Sequence, residues 1–148
     1  MRLQIATVVL SELQDATQVS TMKRHIREQE VEGVRMPPPH AREVKHLAAP
    51  WTMGTKNLWM GISQVEPNSR SNRHSHPHQE EVFFVLSGEG RITVAEEEFE
   101  VGEGSCVYVP TDEEHQLVNT QSDEVLRVLS VTSPPFTFED FVTVHTPK

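Results

Sequence analysis

Three observations predict an all-β domain, a sandwich or barrel. Short apolar runs rich in Val, Ile, Leu and Phe follow one another from residue 57 to residue 131, at about the eight-to-twelve-residue spacing of such folds. Turn residues separate them: Pro67-Asn68-Ser69, Ser87-Gly88-Glu89-Gly90, Gly102-Glu103-Gly104 and Pro110-Thr111-Asp112. No helical period lies between them, which excludes a parallel sheet built from βαβ units.

Residues 1–50 read as an N-terminal extension, too short for a domain, packed on a barrel formed by residues 51–148 or on a second subunit. Leu3 to Leu10 fits a strand. Ser11 and Gln14 fit a capping box, in which each side chain satisfies an orphan amide. Leu10, Leu13, Val19, Met22 and Ile26 give a helical stripe that predicts a helix over 11–30. Met36-Pro37-Pro38-Pro39-His40 stops it, since proline lacks the amide donor and restricts its predecessor. Strands are then expected at 57–66, 82–86, 91–94, 99–101, 106–109, 116–118 and 124–131, the last ended by Pro134-Pro135.

The chain has 148 residues and a formal net charge of −9. Residues 1–79 hold 10 Lys/Arg and 7 Asp/Glu, whereas residues 80–148 hold 3 and 15. So acidic a body repels phosphate backbones, and no nucleic-acid partner is expected. The longest apolar run, Val82 to Leu86, has five residues, against roughly 20 for a spanning helix, so no membrane partner is expected either. The first residues, polar again by Ser11, do not read as a signal peptide. The single cysteine, Cys106, excludes an internal disulfide and a multi-cysteine zinc site. A reducing compartment, the cytoplasm, is the expectation.

Three of the eight histidines fall within five positions, in His74-Ser75-His76-Pro77-His78-Gln79-Glu80-Glu81. Side chains alternate in an extended chain, so His74 and His76 point the same way and can share one metal ion. A carboxylate on the adjoining strand can complete the face, and the alternation leaves Glu80 and Glu81 both open, because Pro77 resets the geometry. A solvated His-rich turn is the competing reading.

A second segment follows at Gly104, Pro110, His115 and Asn119. Together the two segments resemble the paired motifs of the cupin family. His74, His76, Glu81 and Gly88 match the first motif and Gly104, Pro110, His115 and Asn119 the second, with Asn68 and Asp112 standing where glycine is usual. The resemblance selects Glu81 over Glu80. It implies a double-stranded β-helix, or jelly roll, whose metal ligands are His74, His76, Glu81 and His115. The run from Thr55 through Pro67 and the tail Ser133 to Phe136 are similar to those of small single-domain bacterial cupins. That likeness implies dimers, with manganese or iron as the ion.

His/carboxylate ligands also suit nickel, zinc and copper. Three imidazoles and one carboxylate leave one or two coordination positions for substrate, water or dioxygen. His78 is expected at the rim, and His25, His40, His46 and His145 on the surface. Cys106 and Tyr108 share a strand face and are candidates for the cavity wall, as are Val107 and Val109 if theirs is the inner face, with apolar packing the expected role of Cys106. One of Trp59 and Met60 should narrow the pocket. Gln64, Arg70, Asn72 and Arg73 are candidates for an anionic substrate group, the two arginines reading more simply as solvated.

The functional expectation is a metal-dependent oxidoreductase, dioxygenase-like, acting on a small organic substrate. A metal-dependent decarboxylase, lyase or isomerase, or a ligand-binding cupin without turnover, is the alternative. A homodimer is expected, with residues 1–10 or the 11–30 helix contributing to its contact, because Leu3, Ile5, Val8 and Leu10 need cover.

Overall fold

The computed structural model describes residues 22–145. The strands are β1 (Val34–Met36), β2 (Arg42–Ala48), β3 (Trp59–Val65), β4 (Glu80–Ser87), β5 (Gly90–Val94), β6 (Glu97–Val101), β7 (Cys106–Val109), β8 (His115–Asn119) and β9 (Leu126–Ser133), followed by helix α1 (Phe138–His145). A six-stranded sheet runs β1-β2-β3-β9-β4-β7 and a three-stranded sheet runs β6-β5-β8. Every pairing is antiparallel. The seven expected strands are all present, and their ends differ by up to two residues.

Alternation places the core. On β4, Glu81, Phe83 and Val85 are buried while Glu80, Val82 and Phe84 are exposed, so one face looks inward. Val65, Val85, Ile92, Leu126 and Val128, each fully buried, pack with Phe83, Val107, Val109 and Leu117 into a core with contributions from both sheets. A second cluster joins Met36, Val44, Ala49 and Trp59 to Phe136 and Phe141 of the C-terminal segment. It packs α1 against β1–β3.

Two glycines keep this geometry. Gly88 has φ +84°, and a Cβ there would lie 2.7 Å from the Val125 carbonyl oxygen. Gly61 leaves room for the Trp59 ring, which a side chain would strike. The motif departures are also accommodated: Asn68 and Asp112 adopt φ 56° and 70°, and Asn and Asp tolerate left-handed backbone better than most residues.

Residues 1–50 differ from expectation where they are described. Between residues 22 and 30 there is only a 3₁₀ turn, Glu28–Glu30, instead of the C-terminal part of a helix. Glu28 is drawn to the sheet, with both carboxylate oxygens 2.6 Å from Arg127 Nη2 and one 3.9 Å from Lys45 Nζ. The expected strand at 3–10 and the helix over 11–21 lie outside the described residues. Residues 34–36 and 42–48 are strands of the six-stranded sheet, with β2 paired to β3 from Arg42↔Val65 to Ala48↔Met60. Neither face of β2 reads as purely apolar, because Arg42 and His46 share one with Val44 while Lys45 shares the other with Leu47. Helix α1 was also not anticipated. Thr137 caps it, its Oγ1 accepting from Asp140 N at 3.0 Å while Asp140 Oδ2 accepts from Thr137 N at 3.2 Å. No helix among the described residues is long and apolar enough to cross a membrane.

Candidate metal centre

The two histidine segments meet through the backbone. His115 N donates to His74 O at 2.8 Å and His74 N to His115 O at 3.2 Å, so an isolated bridge joins the loop before β4 to the start of β8. Asp112, in its left-handed turn, donates its N–H to His76 O at 2.9 Å and ties the second histidine to the same hairpin. Asn119 supports the far end of β8: its amide donates to Val65 O and Glu124 O, and its oxygen accepts from Gln121 N.

One candidate ring nitrogen from each of His74, His76 and His115 lies within 4.8 Å of the others, so the three can hold a metal ion. Glu81 completes the group from β4, its Oε2 lying 3.1 Å from His115 Nε2 and 3.3 Å from His76 Nε2. His76 Nε2, His115 Nε2 and Glu81 Oε2 are all buried and have no partner outside this group. Burying polar atoms in that state is costly. A cation at their common focus satisfies all three, and the residues therefore fit the ion that the sequence pattern implies.

The opposite ring nitrogens orient the imidazoles. His74 Nδ1 lies 2.9 Å from Asn72 O and His115 Nδ1 lies 3.0 Å from Glu113 O. A carbonyl only accepts, so each Nδ1 carries the proton and each Nε2 presents its lone pair. Burial, reinforced by His115 and His76, holds His74 down to about 3, so this ring is neutral at pH 7. Burial alone would raise the Glu81 carboxyl, but the His115 and His76 imidazoles outweigh it and hold it at about 2. Burial also opposes charge on His115, and there the Glu81 carboxylate prevails and raises its pKa.

The adjoining cavity measures about 30 Å³, enough for a water or two, and His74, Glu81 and His115 line it. Apolar walls come from Val44, Trp59, Phe83 and Phe136, and Ser63, Ser71 and Ser130 add hydroxyl-bearing residues. Trp59, not the half-buried Met60, narrows the pocket.

Several expected roles fall elsewhere. Cys106 and Tyr108 are exposed on the outer face of β7 and line no cavity, because Val107 and Val109 take the inner face. The Tyr108 hydroxyl donates to Glu80 Oε2 at 3.0 Å on that outer side. His78, Arg70 and Arg73 are exposed, and Arg73 is engaged with Glu114 Oε2 at 2.8 Å. Gln64 is not among the cavity residues.

His46 and His145 correct the expectation of surface histidines. His46 is buried among Trp51, Trp59, Phe138 and Phe141, where its Nδ1 accepts from Trp59 Nε1 at 3.1 Å. His145, at the end of α1, reaches the cavity and packs its ring 4.5 Å from that of His74. Burial, then the neighbouring His74 and Arg42, push its pKa well below the ordinary value.

Arg42 is the cavity's basic residue, and sequence reasoning missed it. It is 3% exposed, and burial pulls its guanidinium down to about 10, still a cation at neutral pH. Nη2 donates to Asn72 Oδ1 at 2.8 Å and lies 3.0 Å from His145 Nδ1, while Nη1 donates to His40 O at 3.3 Å. Since guanidinium only donates, His145 Nδ1 is the acceptor. Asn72 Nδ2 in turn donates to Val144 O at 2.8 Å, fastening the end of the helix.

The model of the cupin domain matches residues 61–132. An uncharacterized protein of Streptomyces coelicolor is 39% identical over 80 residues, spanning 54% of this chain and 73% of the relative. Among solved structures, one from Thermotoga maritima, described as a predicted oxalate decarboxylase, superposes with TM-score 0.67 at 22% identity, over 74% of this chain and 97% of its own. The polyketide cyclase RemF of Streptomyces resistomycificus gives TM-score 0.65 at 22% identity, over 85% and 95%.

Proposed function

Because the chain belongs to the cupin family, with its double-stranded β-helix, we propose that His74, His76, Glu81 and His115 bind one divalent transition-metal ion and that the protein is a metal-dependent enzyme. Manganese and iron are the first candidates, and an oxygen-dependent oxidation of a small organic molecule is the leading reaction. The observation that carries the reading is the convergence of three buried ligand atoms, without partners outside their own group, from β4, β8 and the loop between β3 and β4. When bound, such an ion supplies Lewis acidity and, for manganese or iron, a redox couple.

The chain's own residues do the rest. Asn72 O and Glu113 O fix two imidazoles by their Nδ1 protons. Trp59, Phe83 and Phe136 wall the reacting volume with apolar surface and limit the water it holds, which strengthens the electrostatic contacts inside it. The second reading is a decarboxylase, lyase or isomerase in which the ion acts as Lewis acid; one structural neighbour is described as a predicted oxalate decarboxylase, a likeness of fold at 22% identity. Dioxygen uptake coupled to substrate loss separates the two.

Elemental analysis of protein purified without a chelating tag tests the centre itself. About one transition-metal ion per chain is expected, falling sharply in His74→Ala, His76→Ala and His115→Ala and less in Glu81→Gln. Glu80→Gln, on the outer face, should leave it intact. Full occupancy in any two histidine variants overturns the assignment.

A further inference from the structure

We propose that Arg42 anchors a carboxylate group of the substrate and that His145 holds the carboxylate's place until it arrives. This inference rests on reading the cavity as the reaction site. Arg42 is a cation buried to 3% exposure, and among the described residues no carboxylate lies within ion-pair distance of it. A buried charge without a counter-ion is costly. Its three hydrogen-bond partners are all neutral: a carbonyl, an amide oxygen and an imidazole nitrogen. Of the three residues that supply them, only His145 also lines the cavity.

Position makes His145 the one to leave. Its ring packs against the His74 ring, while its Nδ1 touches Arg42, so the imidazole bridges the metal ligands and the guanidinium. With His145 in place the cavity holds about 30 Å³, too little for an organic substrate. Withdrawing the imidazole would add its volume to the cavity between the guanidinium and His74, where Val44, Trp59 and Phe141 are among the lining residues. A planar carboxylate there can accept two parallel N–H bonds from the guanidinium fork and neutralise its charge. Phosphate would bring more charge than one guanidinium neutralises into apolar walls, at a higher desolvation cost. The substrate class is therefore a small carboxylic acid with an apolar body, its reactive end directed at the histidine cluster.

Titration calorimetry on the full chain tests this with benzoate, its neutral isostere benzamide, and inorganic phosphate. Benzoate should bind more tightly than either competitor. His145→Ala should tighten benzoate about fivefold by removing the resident plug. Arg42→Gln should weaken it about tenfold or more, the usual loss for hydrogen bonds to a charged group, and Arg42→Lys should fall between. Benzamide or phosphate binding as tightly as benzoate overturns the proposal, as does a His145→Ala protein that binds benzoate no better than the parent. If Arg42→Gln does not fold, the benzoate-to-benzamide ratio and the His145→Ala result still decide. Metal content measured on the same samples separates this inference from the previous one. A metal-loaded protein indifferent to the carboxylate refutes only the Arg42 anchor, whereas a metal-free protein that selects benzoate upholds the anchor and refutes the metal centre.

Discussion

His46→Asn should remove a measurable part of the acid sensitivity of the fold. Burial holds the His46 ring down to about 4, from an ordinary 6.5, so the folded state keeps it neutral where the unfolded chain protonates it. The folded pKa is the lower one, and the unfolded state therefore binds more protons between pH 6.5 and 4; stability falls as pH falls through that window. From pH 7 to pH 5 the loss amounts to about 2 kcal/mol, taking 1.36 kcal/mol per unit below 6.5. Asparagine retains an acceptor for the Trp59 indole N–H, which now bonds His46 Nδ1 at 3.1 Å, but cannot titrate. Urea unfolding of parent and variant at both pH values gives the difference directly, since other groups titrate in both proteins and cancel. The parent should lose about 2 kcal/mol more than the variant. Equal losses would refute the claim that this ring is forced neutral by its aromatic enclosure.

Removing the metal should lower the melting temperature, because the ion binds only the folded arrangement. At about a hundredfold excess over Kd the stabilisation is about 2.7 kcal/mol, or roughly 5–10 °C for a domain of this size; an unchanged transition after chelation would indicate surface-bound metal. Gly88→Ala should cost about 2–3 kcal/mol in urea unfolding, combining left-handed strain with the 2.7 Å approach to Val125 O. An unaffected variant would mean that the β4–β5 turn relaxes freely. Light scattering of the full chain, compared with a variant lacking residues 1–21, should show a dimer that the truncation weakens; a monomeric full chain removes the expected role of the leader.

The barrel strands were legible because short apolar runs recur through residues 57–131 and the turns between them carry Gly, Pro, Asn and Asp. His74, His76, Glu81 and His115 were legible for a different reason, the fixed spacing of two motifs that the β3–β4 loop and β8 bring together. Arg42 was hidden because a charged residue on an inward face inverts the signal that marks a strand as half-buried. His145 lay on a helix whose evidence was present but short: Thr137 and Asp140 as cap, then Phe138, Phe141, Val142 and His145 at helical spacing. His46 shows the limit of treating histidine as a surface residue by default. Only the surrounding rings, Trp51, Trp59, Phe138 and Phe141, reveal its burial, and they come from three separate segments.

The backbone bridge between His74 and His115 has a kinetic consequence. The two residues exchange hydrogen bonds across 41 positions of chain, and β4 sits between β9 and β7 with no hydrogen-bonded sheet neighbour adjacent in sequence. Such distant pairings must close long loops before they are rewarded, which puts folding in about the millisecond-to-second range of high-contact-order sheets. The donor cluster comes into being with that closure and not before it. An ion that meets the chain early finds separate histidines, so it should leave the folding rate nearly unchanged and act almost wholly by slowing unfolding. Metal would thus govern how long each molecule lasts and have little influence on how quickly it is made.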